Sequence, residues 1–399
     1  MKKLYIVTER AHLMCPNMNF GICLKLKDKY NKKKFNSTLK SLQKAHPLLR
    51  SVVCREKFTD KLYFNVVDLL CIPVVVKDDI SSIFEDYKNL THDGWNVFDE
   101  SLLKIIVYPH EKDFSVLFVA HHLLCDGRGL LNLGIEFVNS YCNSTAPTFV
   151  DEKLIESIDD FPSHSKLPFW ANCIVKMVNK MWRKENHTID YNDYLSFEKK
   201  YIQENPVYFD VTTYSGGDFY HIIQTCHENK VSVNDFVVGK MMRDEGCSKV
   251  VVAVDIREKL SCYKKGALGN YSTSTTISSR KRTSDVMLKA QYVSSALKRK
   301  KKNNHKLMMI LSCFLEMNPC LIDAVNISTL GDFPSKAGKF TGNHIFKCKS
   351  KNSYNVTNLG KISNKNIADA MFIPPMSPGT KKIWGVVTIN DCMKICCAS

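Results

Sequence analysis

The stretch His121-His122-Leu123-Leu124-Cys125-Asp126-Gly127 reads HHxxxDG and is the most informative part of this chain. An apolar run at residues 115–120 precedes it, and leucines at helical spacing follow it. Successive side chains on a strand point to opposite faces, so only one of the two histidines can face a given cleft. Histidine suits a general base because its ordinary pKa lies near neutrality. The pattern predicts a strand that ends at a histidine base and continues into an Asp-Gly turn.

Five other short segments accompany this stretch along most of the chain. They are, in order, Lys44-Ala45-His46-Pro47-Leu48-Leu49-Arg50, Trp95-Asn96-Val97-Phe98-Asp99-Glu100-Ser101-Leu102-Leu103, Val254-Asp255-Ile256-Arg257, Leu268-Gly269-Asn270-Tyr271 and Val356-Thr357-Asn358-Leu359-Gly360. Each segment is weak as a signature by itself. Their order and spacing make the set informative.

Taken together, these segments resemble the acyltransferase superfamily related to chloramphenicol acetyltransferase. That superfamily includes condensation domains of peptide synthetases, alcohol acetyltransferases, plant hydroxycinnamoyl-type enzymes and polyketide-associated acyltransferases. The segments are similar to its HPxLR, PFDxxxxPL, VDxR, GN[FY] and SNLG patterns, with Thr357 where serine is commoner. The DFGWG segment of the plant enzymes is absent, since residues 331–334 read Gly-Asp-Phe-Pro. The resemblance is therefore to the superfamily and does not select one branch of it.

The resemblance implies a mixed α/β (α+β) fold of two chloramphenicol-acetyltransferase-like subdomains, with the active-site channel at their interface. We expect the subdomains at residues 1–180, which carry HHxxxDG, and 181–399. The segment from about residue 143 to 218 is polar and broken by prolines and by Gly216-Gly217. It is predicted to contain one amphipathic helix at residues 170–182 and then a crossover, and the boundary falls within it.

By the same resemblance, His122 is the general base, and His121 packs or makes a structural hydrogen bond. Asp126 is implied to be structural and to pair with an arginine of the other subdomain, for which Arg257 is the candidate. Gly127 is expected to let the chain turn tightly beside the base. The alternatives are a core histidine with satisfied hydrogen bonds for His122, and a plain turn residue or helix cap for Asp126.

Donors for an oxyanion, or contacts to substrate, are expected from the two segments that resemble GN[FY] and SNLG. The candidates are Asn270, Tyr271, Ser272, Thr357 and Asn358. The competing interpretation is that these are structural residues at strand ends. No metal site is predicted, because adjacent strand histidines diverge and no paired CxxC or HExxH spacing occurs.

Hydrophobic periodicity predicts the main elements of both halves. The first half is predicted to contain a helix at residues 35–46, strands at 51–55, 61–67, 102–108 and 114–121, and a helix after the motif. The second half is predicted to contain a helix that begins after a cap at Ser232 and runs to Met242, strands at 250–254, 272–278 and 382–390, and a basic helix at 284–302. The start, residues 1–10, has too short an apolar run for a secretory signal and favours a first strand.

The composition fits a two-domain protein of 399 residues with an apolar content of 44%. No run approaches the roughly 18 to 20 apolar residues of a membrane-spanning helix. The 16 cysteines lack regular spacing, so we expect reduced thiols and a cytoplasmic protein. Cys125, inside the motif, is interpreted as a small buried filler and not as a nucleophile. A monomer is expected, because a chain of this length supplies both halves of the site.

The formal net charge of +16 favours anionic partners. No zinc finger or RNP-type aromatic motif accompanies the charge, so no nucleic-acid partner is predicted. The phosphates of coenzyme A or an acidic carrier protein fit the motif better. The densest basic run, residues 298–302, is either a solvated helix end or a docking patch for such a partner.

The leading hypothesis for function is an acyltransferase that moves an acyl group from a thioester to a hydroxyl or amine. Acyl-CoA or a phosphopantetheinyl carrier protein would be the co-substrate, with no permanently bound cofactor. Two alternatives stay open: a free-standing condensation enzyme that joins carrier-bound substrates, and a non-catalytic homologue that binds a carrier protein. A metal hydrolase using His121, His122 and Asp126 is disfavoured by the spacing.

Overall fold

The computed structural model describes residues 3–57, 59–92, 95–279 and 283–399. Its helices are α1 (Lys32–Ala45), α2 (Ile83–His92), α3 (Gly127–Asn143), α4 (Phe169–Glu185), α5 (Tyr191–Glu204), α6 (Gly216–Glu228), α7 (Val233–Asp244), α8 (Val286–Lys301), α9 (Asn304–Glu316), α10 (Pro319–Leu330) and α11 (Lys336–Phe340). Its strands are β1 (Leu4–Ile6), β2 (Asn19–Leu26), β3 (Ser51–Arg55), β4 (Leu62–Val66), β5 (Val74–Val76), β6 (Leu103–Pro109), β7 (Phe114–His121), β8 (Phe209–Ser215), β9 (Lys249–Asp255), β10 (Ser272–Ser278), β11 (Ser353–Ile362), β12 (Ile367–Ile373), β13 (Thr380–Ile389) and β14 (Cys392–Ala398). The predicted mixed α/β class is confirmed.

The sheet of the first half has the strand order β12-β2-β7-β6-β5. Every residue of β7 is buried, because helices and loops cover both faces of this strand. The strand ends at His121, which lies opposite Asn19 of β2 in the antiparallel register. The HHxxxDG stretch therefore begins at the end of a central strand, where the chain leaves the sheet.

The sheet of the second half has the strand order β10-β9-β11-β13-β14-β8. Strands β9 and β10 are antiparallel, with Ser272 opposite Asp255. The end of β9 leads into the segment around Arg257, and the segment around Asn270 leads into β10. Both segments contact the HHxxxDG loop of the first half. A small antiparallel sheet, β1-β4-β3, completes the described strands.

One strand crosses between the halves. Strand β12 belongs to the second half in sequence but pairs antiparallel with β2 of the first, with Phe372 opposite Ile22. Residue 180, where we place the subdomain boundary, lies inside α4. The division at that residue stays a prediction, and the strand exchange shows that the sheet of the first half also needs residues 367–373.

The strands at residues 51–55, 114–121 and 272–278 have the predicted bounds, and most of the other predicted elements differ by one to three residues. Helix α7 begins with a capping box in which Ser232 and Asp235 bond reciprocally, as the sequence indicates. The crossover, predicted with one helix, contains α4, α5 and the edge strand β8. Residues 1 and 2, at the start of the predicted first strand, lie outside the described residues, and β1 begins at Leu4.

No single helix within the described ranges is long and apolar enough to cross a membrane, and only α9 and α10, bent by 99° at their junction, pass that test as a pair. The basic run at the end of α8 is largely exposed. Cations at a helix C-terminus also interact favourably with the helix dipole.

Candidate active site

The HHxxxDG loop lines a cavity of about 240 Å³ between the two halves. His122, Asp126 and Gly127 contribute to its wall from the first half. The second half contributes strand residues and one face of α9. The lining residues used below are Thr8, His12, Phe20, Ser272, Thr357 and Phe314.

His122 is fixed at both its backbone and its side chain. Its backbone N–H donates to the carbonyl oxygen of Met18 at 2.8 Å. Its ring Nδ1 lies 2.8 Å from Oδ1 of Asn270, and Nδ2 of the same amide donates to the carbonyl oxygen of His122 at 2.8 Å. Because an amide oxygen only accepts, Nδ1 must carry the hydrogen. The neutral ring is then left with its lone pair on Nε2, the form that a general base needs.

Burial lowers the pKa of His122 below its ordinary value of 6.5, and the nearby Asp126 carboxylate and the Asn270 hydrogen bond oppose part of that shift. The ring packs against Phe20, with centroids 5.0 Å apart. The lowered pKa therefore favours the neutral imidazole near neutral pH.

Asp126 connects three elements at once. Its carboxylate caps α3 by accepting from the N–H of Gly129 at 2.8 Å and accepts from the N–H of Tyr271 at 3.0 Å. It also pairs with Nη2 of Arg257 at 2.5 Å, with both side chains nearly inaccessible to solvent. The structure thus brings together Asp126 and the expected arginine from the other half. The ion pair holds the loop after His122 against the end of β9.

Gly127 is the first residue of α3 and does not have a positive φ. A Cβ at this position would lie 3.0 Å from Leu359 and 3.2 Å from Phe372, both in the second half. That this glycine lets the chain turn tightly beside His122 stays a prediction, and its φ is not the positive one that favours glycine. A small residue is required because β11 and β12 approach the helix start closely.

His121 points away from His122 and into the first half. Its Nδ1 accepts from the N–H of Leu123 at 3.2 Å, and its ring meets Trp95 edge-on at 5.9 Å. Burial lowers the pKa of His121 to about 3, with smaller contributions from His122 and Lys104. These contacts are those of a packed, neutral structural histidine.

The five expected oxyanion or substrate residues occupy different places. Ser272, Thr357 and Asn270 line the cavity, but both ends of the Asn270 amide are engaged by His122. The hydroxyl of Tyr271 donates to the carbonyl oxygen of Lys153 at 2.6 Å, so its side chain is directed away from the cavity. The Asn358 amide oxygen accepts from Gly360 N–H within β11. Of these residues, Ser272 and Thr357 are hydroxyl side chains among the residues that line the cavity.

His12 was not predicted from the sequence, yet it lines the cavity and stacks on His122. It ends the 3₁₀ turn Thr8–His12, which follows β1. Burial lowers the pKa of His12 well below its ordinary value, and the neighbouring His122 and His121 add to the effect. A single histidine in a short turn carries no sequence signal, because only the tertiary fold brings it to His122.

Cys125 is fully buried, and burial raises the pKa of its thiol well above the ordinary value. A thiol in this state is a poor nucleophile. No cluster of three or more histidine, cysteine, aspartate or glutamate residues in the described part of the chain could hold a metal ion.

No protein-family model and no curated protein matches the sequence. Solved structures match its fold along the whole chain. TRI101 of F. graminearum, solved with coenzyme A and T-2 mycotoxin, has a TM-score of 0.59 at 12% identity, and the match covers 100% of this chain and 95% of that one. Polyketide synthase associated protein 5 from Mycobacterium tuberculosis has a TM-score of 0.58 at 13% identity, with 100% and 92% covered.

The condensation domain of the Monacolin K polyketide synthase MokA is similar to the same degree, with a TM-score of 0.58 at 9% identity and coverage of 100% and 92%. The chain therefore has the fold that condensation domains and these related proteins share. The fold resemblance inferred from the sequence segments is confirmed.

Proposed function

We propose that this protein is an acyltransferase that moves an acyl group from a thioester to a hydroxyl or amine acceptor. The observation that carries the proposal is the hydrogen bond between His122 Nδ1 and Asn270 Oδ1. It leaves the lone pair of Nε2 free to accept a proton, on a residue that lines the cavity between the halves. The fold agrees with it, because condensation domains and a protein solved with coenzyme A are among the similar structures.

In the proposed reaction, His122 Nε2 takes the proton of the acceptor hydroxyl or amine while the acceptor atom attacks the thioester carbon. The carbonyl π electrons move onto oxygen and form a tetrahedral oxyanion. The oxyanion then re-forms the C=O bond as the C–S bond breaks, which leaves the ester or amide product, and the departing thiolate takes the proton from the His122 imidazolium. No atom of the protein forms a covalent bond, and the base ends neutral, ready for another turnover.

The oxyanion of this intermediate needs hydrogen-bond donors that are already in place. The hydroxyls of Ser272 and Thr357, which line the same cavity as His122, are the proposed donors. Asp126, Gly127 and Arg257 act in this scheme by holding the catalytic loop. The Asn270 amide is a positioning group that fixes the tautomer of the base.

The proposed co-substrate is acyl-CoA or an acyl-phosphopantetheinyl carrier protein. Both carry phosphate, and a net charge of +16 attracts anionic partners over several ångströms in dilute salt. The exposed basic end of α8 is proposed to contribute to that attraction. A free-standing condensation enzyme is the second candidate, favoured by the similarity to condensation domains.

Mass spectrometry after incubation with a panel of acyl-CoAs, acyl-carrier proteins and small alcohols and amines tests the proposal. The proposal is supported if acyl transfer from a thioester is lost in His122→Ala but is retained in the control His110→Ala, which changes an exposed histidine. If product forms only when both the donor and the acceptor are bound to carrier proteins, the result would favour the condensation enzyme. Binding of a carrier protein without turnover by any thioester would contradict both enzymatic functions.

A further inference from the structure

A second cavity of about 340 Å³ lies beside the one that contains His122. Its wall is mainly apolar and comes from β1 and the turn after it, β4, the end of α9 and the segment that leads into α10. The apolar lining residues include Ile6, Val7, Leu62, Leu315, Met317 and Ile322. Its outer end carries Lys61 and Glu156, which are exposed.

Phe314 lines both cavities. It lies on α9 one turn after Ile310 and Leu311, which face the His122 cavity, and next to Leu315, which faces the second one. Its side chain is therefore a shared wall between the base and the second cavity. The ring is supported from behind by Phe346, with centroids 5.7 Å apart and an angle of 21° between the planes.

The remainder of the shared wall is the turn that carries His12. Thr8 and His12 face the His122 cavity, whereas Val7 and Arg10 face the second cavity. Arg10 is anchored by a buried ion pair to Asp323 of α10, with Nε 2.8 Å from Oδ1. This turn cannot move without breaking a buried ion pair. A substitution can therefore open the shared wall only at the Phe314 side chain.

We propose that the second cavity is an acyl-chain site and that Phe314, by closing it off from His122, limits the length of the acyl group that the enzyme accepts. The proposal rests on the proposed acyl transfer. The thioester carbon must lie beside His122, so an acyl chain longer than the first cavity can hold must continue past Phe314. The apolar wall beyond Phe314 matches the chemistry of a hydrocarbon chain.

The expected wild-type preference is for short acyl groups. Removing the phenyl ring in Phe314→Ala should join the cavities and let a longer chain reach the apolar wall. Each buried methylene strengthens binding by about fourfold. The ratio of kcat/KM for decanoyl-CoA to that for acetyl-CoA should therefore rise more than tenfold in Phe314→Ala, measured by release of free thiol.

Two further variants make the experiment specific. Val7→Phe adds a ring at a half-buried position on the second cavity, so the double variant Phe314→Ala/Val7→Phe should lose the gain for decanoyl-CoA. Phe333→Ala removes a partly buried phenyl ring that contacts His187 and lines neither cavity, so it should leave the chain-length profile unchanged.

A binding experiment separates this inference from the proposed activity. Affinity for a non-cleavable decanoyl thioether of coenzyme A, measured by calorimetry, should rise in Phe314→Ala and also in Phe314→Ala/His122→Ala. If wild type transfers acyl groups but prefers long chains, or if Phe314→Ala leaves both profile and affinity unchanged, the chain-length role is overturned. If no variant transfers any acyl group, the proposed activity fails, while the thioether affinity still decides whether the second cavity holds the chain.

Discussion

The imidazole rings of His12 and His122 stack face to face, with centroids 4.1 Å apart and 20° between their planes. The two residues are far apart in sequence. His12 lies at the end of a short 3₁₀ turn, and His122 follows directly after the central strand β7. Burial lowers the pKa values of both rings below 6.5, which favours the neutral form of both at pH 7. The stack fixes the plane of the His122 ring from one face, while Asn270 fixes its rotation through Nδ1.

We therefore expect His12 to act as a positioning residue. His12→Ala should lower kcat by roughly 10-fold with little change in KM, because the base loses one supporting face. His12→Phe should restore most of the activity, since a phenyl ring can stack in the same place. Equal losses in the alanine and phenylalanine variants would instead assign a chemical role to the His12 ring nitrogens.

His122→Ala should lower turnover by roughly 10²- to 10⁴-fold, because it removes the proposed acceptor of the substrate proton. His121→Ala should retain catalysis but lower the free energy of unfolding by about 1 to 3 kcal/mol, since it loses the Leu123 hydrogen bond and the Trp95 contact. Steady-state thiol release and thermal melts of both variants provide the measurements. A well-folded His121→Ala enzyme without activity would mean that the base is assigned to the wrong histidine.

Asp126→Ala should lower the free energy of unfolding by about 3 to 5 kcal/mol, because it removes the buried partner of Arg257 and leaves only the longer, 3.2 Å contact to the half-exposed Asp255. Urea titration gives this difference. The matched control is Asp391→Ala, which breaks an exposed pair with Lys361 and should cost no more than about 1 kcal/mol. Similar effects for the two variants would show that the buried pair contributes little to holding the halves together.

Asn270→Leu should lower kcat about 5- to 150-fold, because His122 loses the acceptor that places the hydrogen on Nδ1. Asn270→Asp should instead raise the pKa of His122, since a carboxylate stabilises the imidazolium. The acid limb of the kcat/KM profile should lie below pH 6.5 in wild type, as burial lowers the pKa of the base, and should move to higher pH in Asn270→Asp. If the acid limb does not move in Asn270→Asp, the group that titrates in the profile is not His122.

Glu9→Gln should stabilise the protein at alkaline pH. Burial raises the pKa of Glu9 from 4.5 to about 7, so between these values the unfolded chain releases a proton that the folded protein keeps. Folded wild type therefore loses stability as the pH rises from 4.5 to 7, by about 3 kcal/mol in total. The variant and wild type should differ least near pH 4 and most above pH 7 in urea titrations. Glu258→Gln, at an exposed position, is the control, and a pH-independent difference for Glu9→Gln would contradict the assignment.

The sequence predicted those parts of the fold that local patterns determine. Strand β7 is buried along its whole length, so its apolar run is unmistakable and its bounds are correct. Helix α7 carries its start signal in Ser232 and Asp235. By contrast, β8 is an edge strand that buries none of its residues, and its apolar–polar alternation covers only residues 209–212. Strand β14 is rich in cysteine, with two adjacent cysteines at 396 and 397, and has no regular alternation.

The candidate site was predictable only as far as short motifs extend. The HHxxxDG and VDxR resemblances indicated Asp126 and Arg257, which the fold brings to 2.5 Å across 131 positions of sequence. The hydrogen bond of Asn270 to His122 spans 148 positions and depends on the amide orientation, which no local pattern contains. The stacking of His12 and the shared wall at Phe314 likewise come from tertiary packing alone.

The exchange of β12 has a consequence for how the chain can be divided. Without β12, the edge of β2 would expose a row of unpaired backbone donors and acceptors on a strand that is almost entirely buried. Open edges of that kind promote aggregation. A recombinant fragment that ends in the crossover should therefore be insoluble by itself and should be rescued by co-expression of the remaining half, as in a split-protein complementation pair.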